Sequence, residues 1–153
     1  MQQSCSVLIV GAGPAGLAAA ISLGRLGVRN VLVVEAGERF GTPDPVKTYS
    51  YRIDGHGFRW FDALGLGAEL DAISAPNPDH LRLWYPDQCF KEMKSPMADK
   101  PGNRTRWVGR EQLLEFMLQK SDAEVQFESY CDSIERTDGC MLCTIKKKGG
   151  ATA

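Results

Sequence analysis

Gly11-Ala12-Gly13-Pro14-Ala15-Gly16 places three glycines at G-x-G-x-x-G spacing, and an acidic residue, Glu35, follows about 20 positions later. The chemistry open to such a turn is diphosphate binding. Gly11 permits the tight turn, and Gly13 leaves room for an anion where a Cβ would collide with it. Gly16, and then Ala20, keep the following helix slim where it crosses a sheet. That helix would point unpaired N–H groups and about half a positive charge at the diphosphate. Glu35, ending a strand, can accept both hydroxyls of an adenosine ribose and would repel a 2′-phosphate, so FAD or NAD is expected over NADP.

The motif has meaning only if the right elements flank it. Ser6–Val10 is an apolar run that reads as a buried strand, and Pro14–Leu26 reads as a helix with Pro14 in its first turn and Gly27 ending it. Val31–Val34 is apolar without alternation, the pattern of a strand buried on both faces of a parallel sheet. A β-α-β unit with a right-handed crossover is expected over residues 1–36.

Beyond Glu35 the pattern loosens. Gly37–Ser50 is loop-like, and Gly55–Leu70 reads as helix with glycine interruptions. Leu81–Tyr85 and Cys89–Met93 read as short strands among prolines. Glu111–Lys120 is an amphipathic helix; Glu124–Tyr130, Ser133–Thr137 and Met141–Ile145 read as strands. The expected class is α/β: a Rossmann-like βαβ with a parallel sheet and the beginning of an inserted β-rich domain.

Composition excludes other roles. The chain has 153 residues, Lys+Arg 18 against Asp+Glu 19 and a net charge of −1, so no basic excess exists for a nucleic-acid backbone. No apolar run is long enough to span a bilayer or to serve as a signal-peptide core. Five irregularly spaced cysteines suit a reducing, cytoplasmic location. Cys140-Met141-Leu142-Cys143 has C-x-x-C spacing without further ligands, and reads as buried core thiols. His56 and His80 form no metal or triad pattern, Asn103-Arg104-Thr105 reads as a chance sequon, and Trp60, Trp84 and Trp107 read as core or interface residues. No catalytic residue and no metal ligand is assigned. Oligomeric state is left open.

Pro14-Ala15-Gly16-Leu17-Ala18-Ala19-Ala20 resembles the flavoprotein form of the motif, and Glu35-Ala36-Gly37 resembles the flavoprotein turn where the acidic residue meets ribose. No tyrosine has a lysine four residues later, which sets aside the short-chain dehydrogenases. Val7–Ala36, Lys47–Leu66 and Trp107–Leu118 together resemble the N-terminal part of the FAD-dependent aromatic-hydroxylase-type monooxygenases, and among these the kynurenine 3-monooxygenase-like branch. Lys47 and His56 stand where that branch has arginines, and Pro76–Arg82 lacks a clear match to its substrate-binding arginine segment.

The resemblance implies FAD as cofactor, with NAD(P)H as electron donor, O2 as oxidant and a small aromatic substrate in the complete enzyme. It implies cofactor binding by Gly11, Gly13, Pro14, Ala15, Gly16, Glu35, Ala36, Arg52 and Arg110. Val108-Gly109-Arg110-Glu111-Gln112-Leu113 resembles the family's Arg-x-x-Leu segment, whose arginine contacts the flavin cofactor; a surface arginine at a helix start is the plainer alternative. Arg52 either approaches the flavin or lies in solvent. The family's later Gly-Asp segment has no counterpart, since Asp138-Gly139 is reversed and Asp54-Gly55 comes too early. One partial FAD-binding domain is therefore expected over 1–153, with inserted strands over about 74–107 and helix and strands over 108–146. Such a chain is expected to be inactive in hydroxylation by itself. Two alternatives stand beside it: a non-catalytic dinucleotide-binding module pairing with another polypeptide, and a fragment of an FAD/NAD-dependent reductase, which would need a second Gly-rich turn.

Overall fold

The computed structural model describes residues 3–39, 49–78, 80–86, 90–94 and 104–149. Lys47, Cys89 and Asn103 lie outside them. In chain order the elements are β1 (Val7–Val10), α1 (Pro14–Arg25), β2 (Val31–Val34), β3 (Ser50–Ile53), α2 (Gly55–Ala63), α3 (Gly67–Ala72) and β4 (Ala75–Pro76). There follow β5 (His80–Trp84), β6 (Phe90–Lys94), β7 (Arg106–Gly109), α4 (Arg110–Gln119), β8 (Glu124–Gln126), β9 (Ser129–Thr137) and β10 (Cys140–Lys147). They fall into two compact units, one of residues 1–44 with 113–153, the other of residues 45–112.

The first unit is built on a parallel sheet in the order β1-β2-β8. Its central strand β2 is buried at every position, with Val33 and Val34 fully enclosed, as its unalternating apolar run requires. Against this core α1 buries Leu17, Ala20 and Ile21, while Leu113, Leu114, Phe116 and Met117 of α4 are buried in the same unit. Strand β1 departs from the expected buried strand. Among the described residues it pairs only with β2, and Val10 at its end is 60% exposed. The reading of Glu124–Tyr130 as one strand is also corrected: Glu128 adopts a φ of +52° and separates β8 from β9. β9 and β10 form an antiparallel hairpin whose register shifts between Thr144 and Ile145.

In the second unit β3, β7 and β4 form an antiparallel sheet in the order β3-β7-β4, and β5 pairs with β6. The expected helix over Gly55–Leu70 is two helices, α2 and α3, parted at Leu64–Leu66, where Gly65 takes a φ of +74° open mainly to glycine. Asp54 caps α2, its carboxylate accepting the His56 N–H at 3.0 Å and the Gly57 N–H at 3.2 Å. Arg104 ties this unit together. It donates to Asp62 and to Asp71, each at 2.7 Å, and its guanidinium lies 3.9 Å from the centre of the Phe58 ring. The Trp107 indole N–H donates to the buried Asn77 side-chain oxygen at 2.6 Å, which accounts for a tryptophan that is only half-buried.

Candidate dinucleotide-binding site

The turn between β1 and α1 is shaped by its glycines. Gly11 has a φ of +101°, and its N–H donates to the Val34 carbonyl at 2.7 Å, joining the end of β1 to the end of β2. A Cβ on Gly16 would strike the Gly11 carbonyl oxygen and lie 3.3 Å from Ile9 Cγ2. Gly16 is thus required by packing of the helix on its own turn. Gly13 is different: a Cβ there would meet nothing within 4 Å. It is the N-cap of α1 with extended backbone, no side chain caps the helix, and its first turn holds no acidic residue. The first helical N–H groups have no intrahelical partner, so the space beside Gly13 faces a concentration of donors and the positive end of the helix.

Glu35 is turned toward this corner. One carboxylate oxygen accepts the Ala12 N–H at 2.8 Å and the other the Gly37 N–H at 2.7 Å. Its main chain is held as well, the N–H donating to Gln126 O at 2.9 Å and the carbonyl accepting from Ser129 N–H at 2.8 Å. Each oxygen retains a lone pair, so a carboxylate so fixed can still accept from hydroxyl groups of a ligand. The fit to a dinucleotide rests on this pairing of open donors at Gly13 with a fixed acceptor at Glu35. Ala15 and Ala36 are exposed beside them and Pro14 is half-buried, without polar side chains of their own.

Of the residues expected to bind cofactor, the first unit gathers Gly11, Gly13, Pro14, Ala15, Gly16, Glu35 and Ala36. Arg52 and Arg110 belong to the second unit. Arg52 is exposed on β3, paired in register with Trp107, and Arg110 is the first residue of α4 rather than preceding it. The Arg110 N–H donates to Tyr49 O at 2.9 Å. Burial pushes the Tyr51 hydroxyl above its ordinary range, its hydrogen bond with Tyr49 adds to this, and the Arg110 cation pulls it back. Sequence reasoning missed Ala12 and Gly37, whose contribution is a backbone N–H to Glu35. The C-x-x-C residues are corrected too: Cys140 is exposed and Cys143 half-buried, at the tip and middle of a hairpin strand rather than in the core.

A family model described as an FAD binding domain matches residues 4–149. The chain belongs to this FAD-binding domain family. Its cofactor is accordingly FAD. Among solved structures it resembles PqsL of P. aeruginosa in complex with 2-aminobenzoylacetate, at 24% identity and a TM-score of 0.68, covering 92% of this chain and 38% of that one. It resembles p-nitrophenol 4-monooxygenase PnpA from Pseudomonas putida DLL-E4 at 20% identity and a TM-score of 0.67, covering 98% of this chain and 38% of that one. The flavin-dependent monooxygenase PieE, solved with FAD and substrate, matches at 21% identity and a TM-score of 0.71, covering 93% of this chain and 27% of that one. These likenesses establish the fold, and the chain spans 38% or less of the length of these three proteins. No curated protein matches the chain. Among the described residues no helix is long and apolar enough to cross a membrane.

Proposed function

We propose that the chain is the FAD-binding, N-terminal portion of a flavin-dependent monooxygenase that hydroxylates a small aromatic substrate with NAD(P)H and O2. The observation that carries the binding reading is the Glu35 carboxylate fixed on the Ala12 N–H, beside the open, uncapped start of α1. Gly13 and the amides that follow it take the diphosphate, and Glu35 takes the adenosine ribose. Pro14, Ala15, Gly16 and Ala36 line the approach, and Arg52 and Arg110 are cofactor contacts as well. When bound, the flavin carries the redox chemistry; these residues supply placement and charge. All belong to one partial FAD-binding domain.

The aromatic-hydroxylase class draws support from the monooxygenases among its structural neighbours. The kynurenine 3-monooxygenase-like branch draws on the resemblance of Val7–Ala36, Lys47–Leu66 and Trp107–Leu118. The chain is inactive in hydroxylation by itself and acts in the cytoplasm. Gly13→Val tests the site. Its added methyls fill space that is open in the free chain, so FAD affinity is expected to fall at least about tenfold with the fold retained. Unchanged affinity in a folded variant would remove the diphosphate from this corner.

A further inference from the structure

Strands β2 and β8 run parallel with Val34 opposite Gln126, and the Glu35 N–H continues their ladder by donating to Gln126 O at 2.9 Å. In an unbroken parallel ladder the Glu35 carbonyl would next accept from residue 128. It accepts from Ser129 instead, at 2.8 Å, because Glu128 is one extra residue set in the left-handed region, with a φ of +52°. The N–H that Glu128 withholds from the ladder donates to Gly37 O at 2.9 Å.

Gly37 is thereby held at both ends. Its N–H donates to Glu35 Oε1 at 2.7 Å and its carbonyl accepts from Glu128, while Glu35 Oε2 accepts the Ala12 N–H at 2.8 Å. A Cβ on Gly37 would lie 3.0 Å from Glu35 Oε1, so this turn is folded closely onto the carboxylate. The bulge is anchored in its own right. Fully buried Ser129 donates its hydroxyl to Phe127 O at 2.9 Å, and the Lys148 N–H donates to Glu128 O at 2.7 Å. Glu128 itself is exposed, so its main chain, not its side chain, makes these contacts. All of these residues belong to the first unit.

We propose that Glu128, through its left-handed main chain, aims the Glu35 carboxylate at the ribose hydroxyls, which makes it a positioning residue acting through Gly37. This rests on the reading of Glu35 as the ribose acceptor. The test is titration of the chain and its Glu128 variants with ADP and with 2′-deoxy-ADP, with thermal unfolding of each. Wild type should bind ADP about tenfold or more tighter than the 2′-deoxy form, the worth of a hydrogen bond to a carboxylate. Glu128→Val places a branched side chain where positive φ is all but closed to it, and should narrow that ratio about threefold or more. Glu128→Asn, as neutral as valine but tolerant of positive φ, should keep the wild-type ratio. Glu128→Ala should narrow the ratio less than valine does, and decides the matter if the valine variant does not fold. A merely structural loss would weaken both nucleotides alike. An unchanged ratio in the folded variants, whether or not affinity falls, would therefore overturn the positioning role and leave Glu35 as the ribose acceptor. A ratio narrowed as far in Glu128→Asn as in Glu128→Val would overturn it too, by tracing the effect to the lost charge. Equal binding of the two nucleotides by wild type would overturn the reading of Glu35 itself.

Discussion

Two glycines of one motif answer to different forces, and substitution should separate them. Gly13 borders open space, so a side chain there should cost the free protein little and be felt by the ligand proposed at this corner. Gly16 borders the Gly11 carbonyl, so Gly16→Ala should be felt by the protein itself, lowering stability by about 1–3 kcal/mol in a denaturant titration with or without FAD. Glu35 joins both roles. Removing its carboxylate in Glu35→Ala leaves the Ala12 and Gly37 N–H groups without their acceptor, at a cost of about 1–3 kcal/mol, and should weaken FAD as well. Equal stability of wild type and Glu35→Ala would mean that the clamp seen in the structure contributes nothing. Glu35 was legible from its distance to the glycine turn. Its partners were not, because a backbone N–H leaves no mark on residue type.

At the scale of elements, helix α2 depends on the Asp54 cap. The Gly57 and His56 N–H groups hold its carboxyl below the usual carboxylate range. A carboxyl whose folded pKa is depressed contributes stability above its unfolded pKa, about 4, and loses it as pH falls through the folded value. Asp54→Asn keeps a capping oxygen that does not titrate. Thermal unfolding from about pH 6 to about pH 3 should therefore show a wild-type advantage that shrinks on acidification, and a constant difference would contradict the cap. Strand β1, helix α1 and strand β2 were legible because apolar runs and glycines punctuate them locally. Strands β3 and β7 were not, since Ser50–Ile53 and Arg106–Gly109 become strands by pairing across distant sequence. The breaks at Gly65 and Glu128 are single positive-φ residues inside otherwise continuous patterns, which periodicity cannot register.

For the whole molecule, α/β class was legible from the order of elements, and the parallel sheet β1-β2-β8 agrees with it. The third strand of that sheet comes from beyond the inserted segment, a pairing that no local pattern announces. Membership of the FAD-binding domain family covers residues 4–149, whereas the solved monooxygenases PnpA and PieE are chains of which this one spans 38% or less. The site proposed on this chain takes the adenosine and diphosphate end of the cofactor. Competition against bound FAD by ADP and by FMN measures that directly. ADP should displace FAD while FMN, which lacks the adenosine end, should not. Displacement by FMN as readily as by ADP, or failure of ADP to compete, would contradict it.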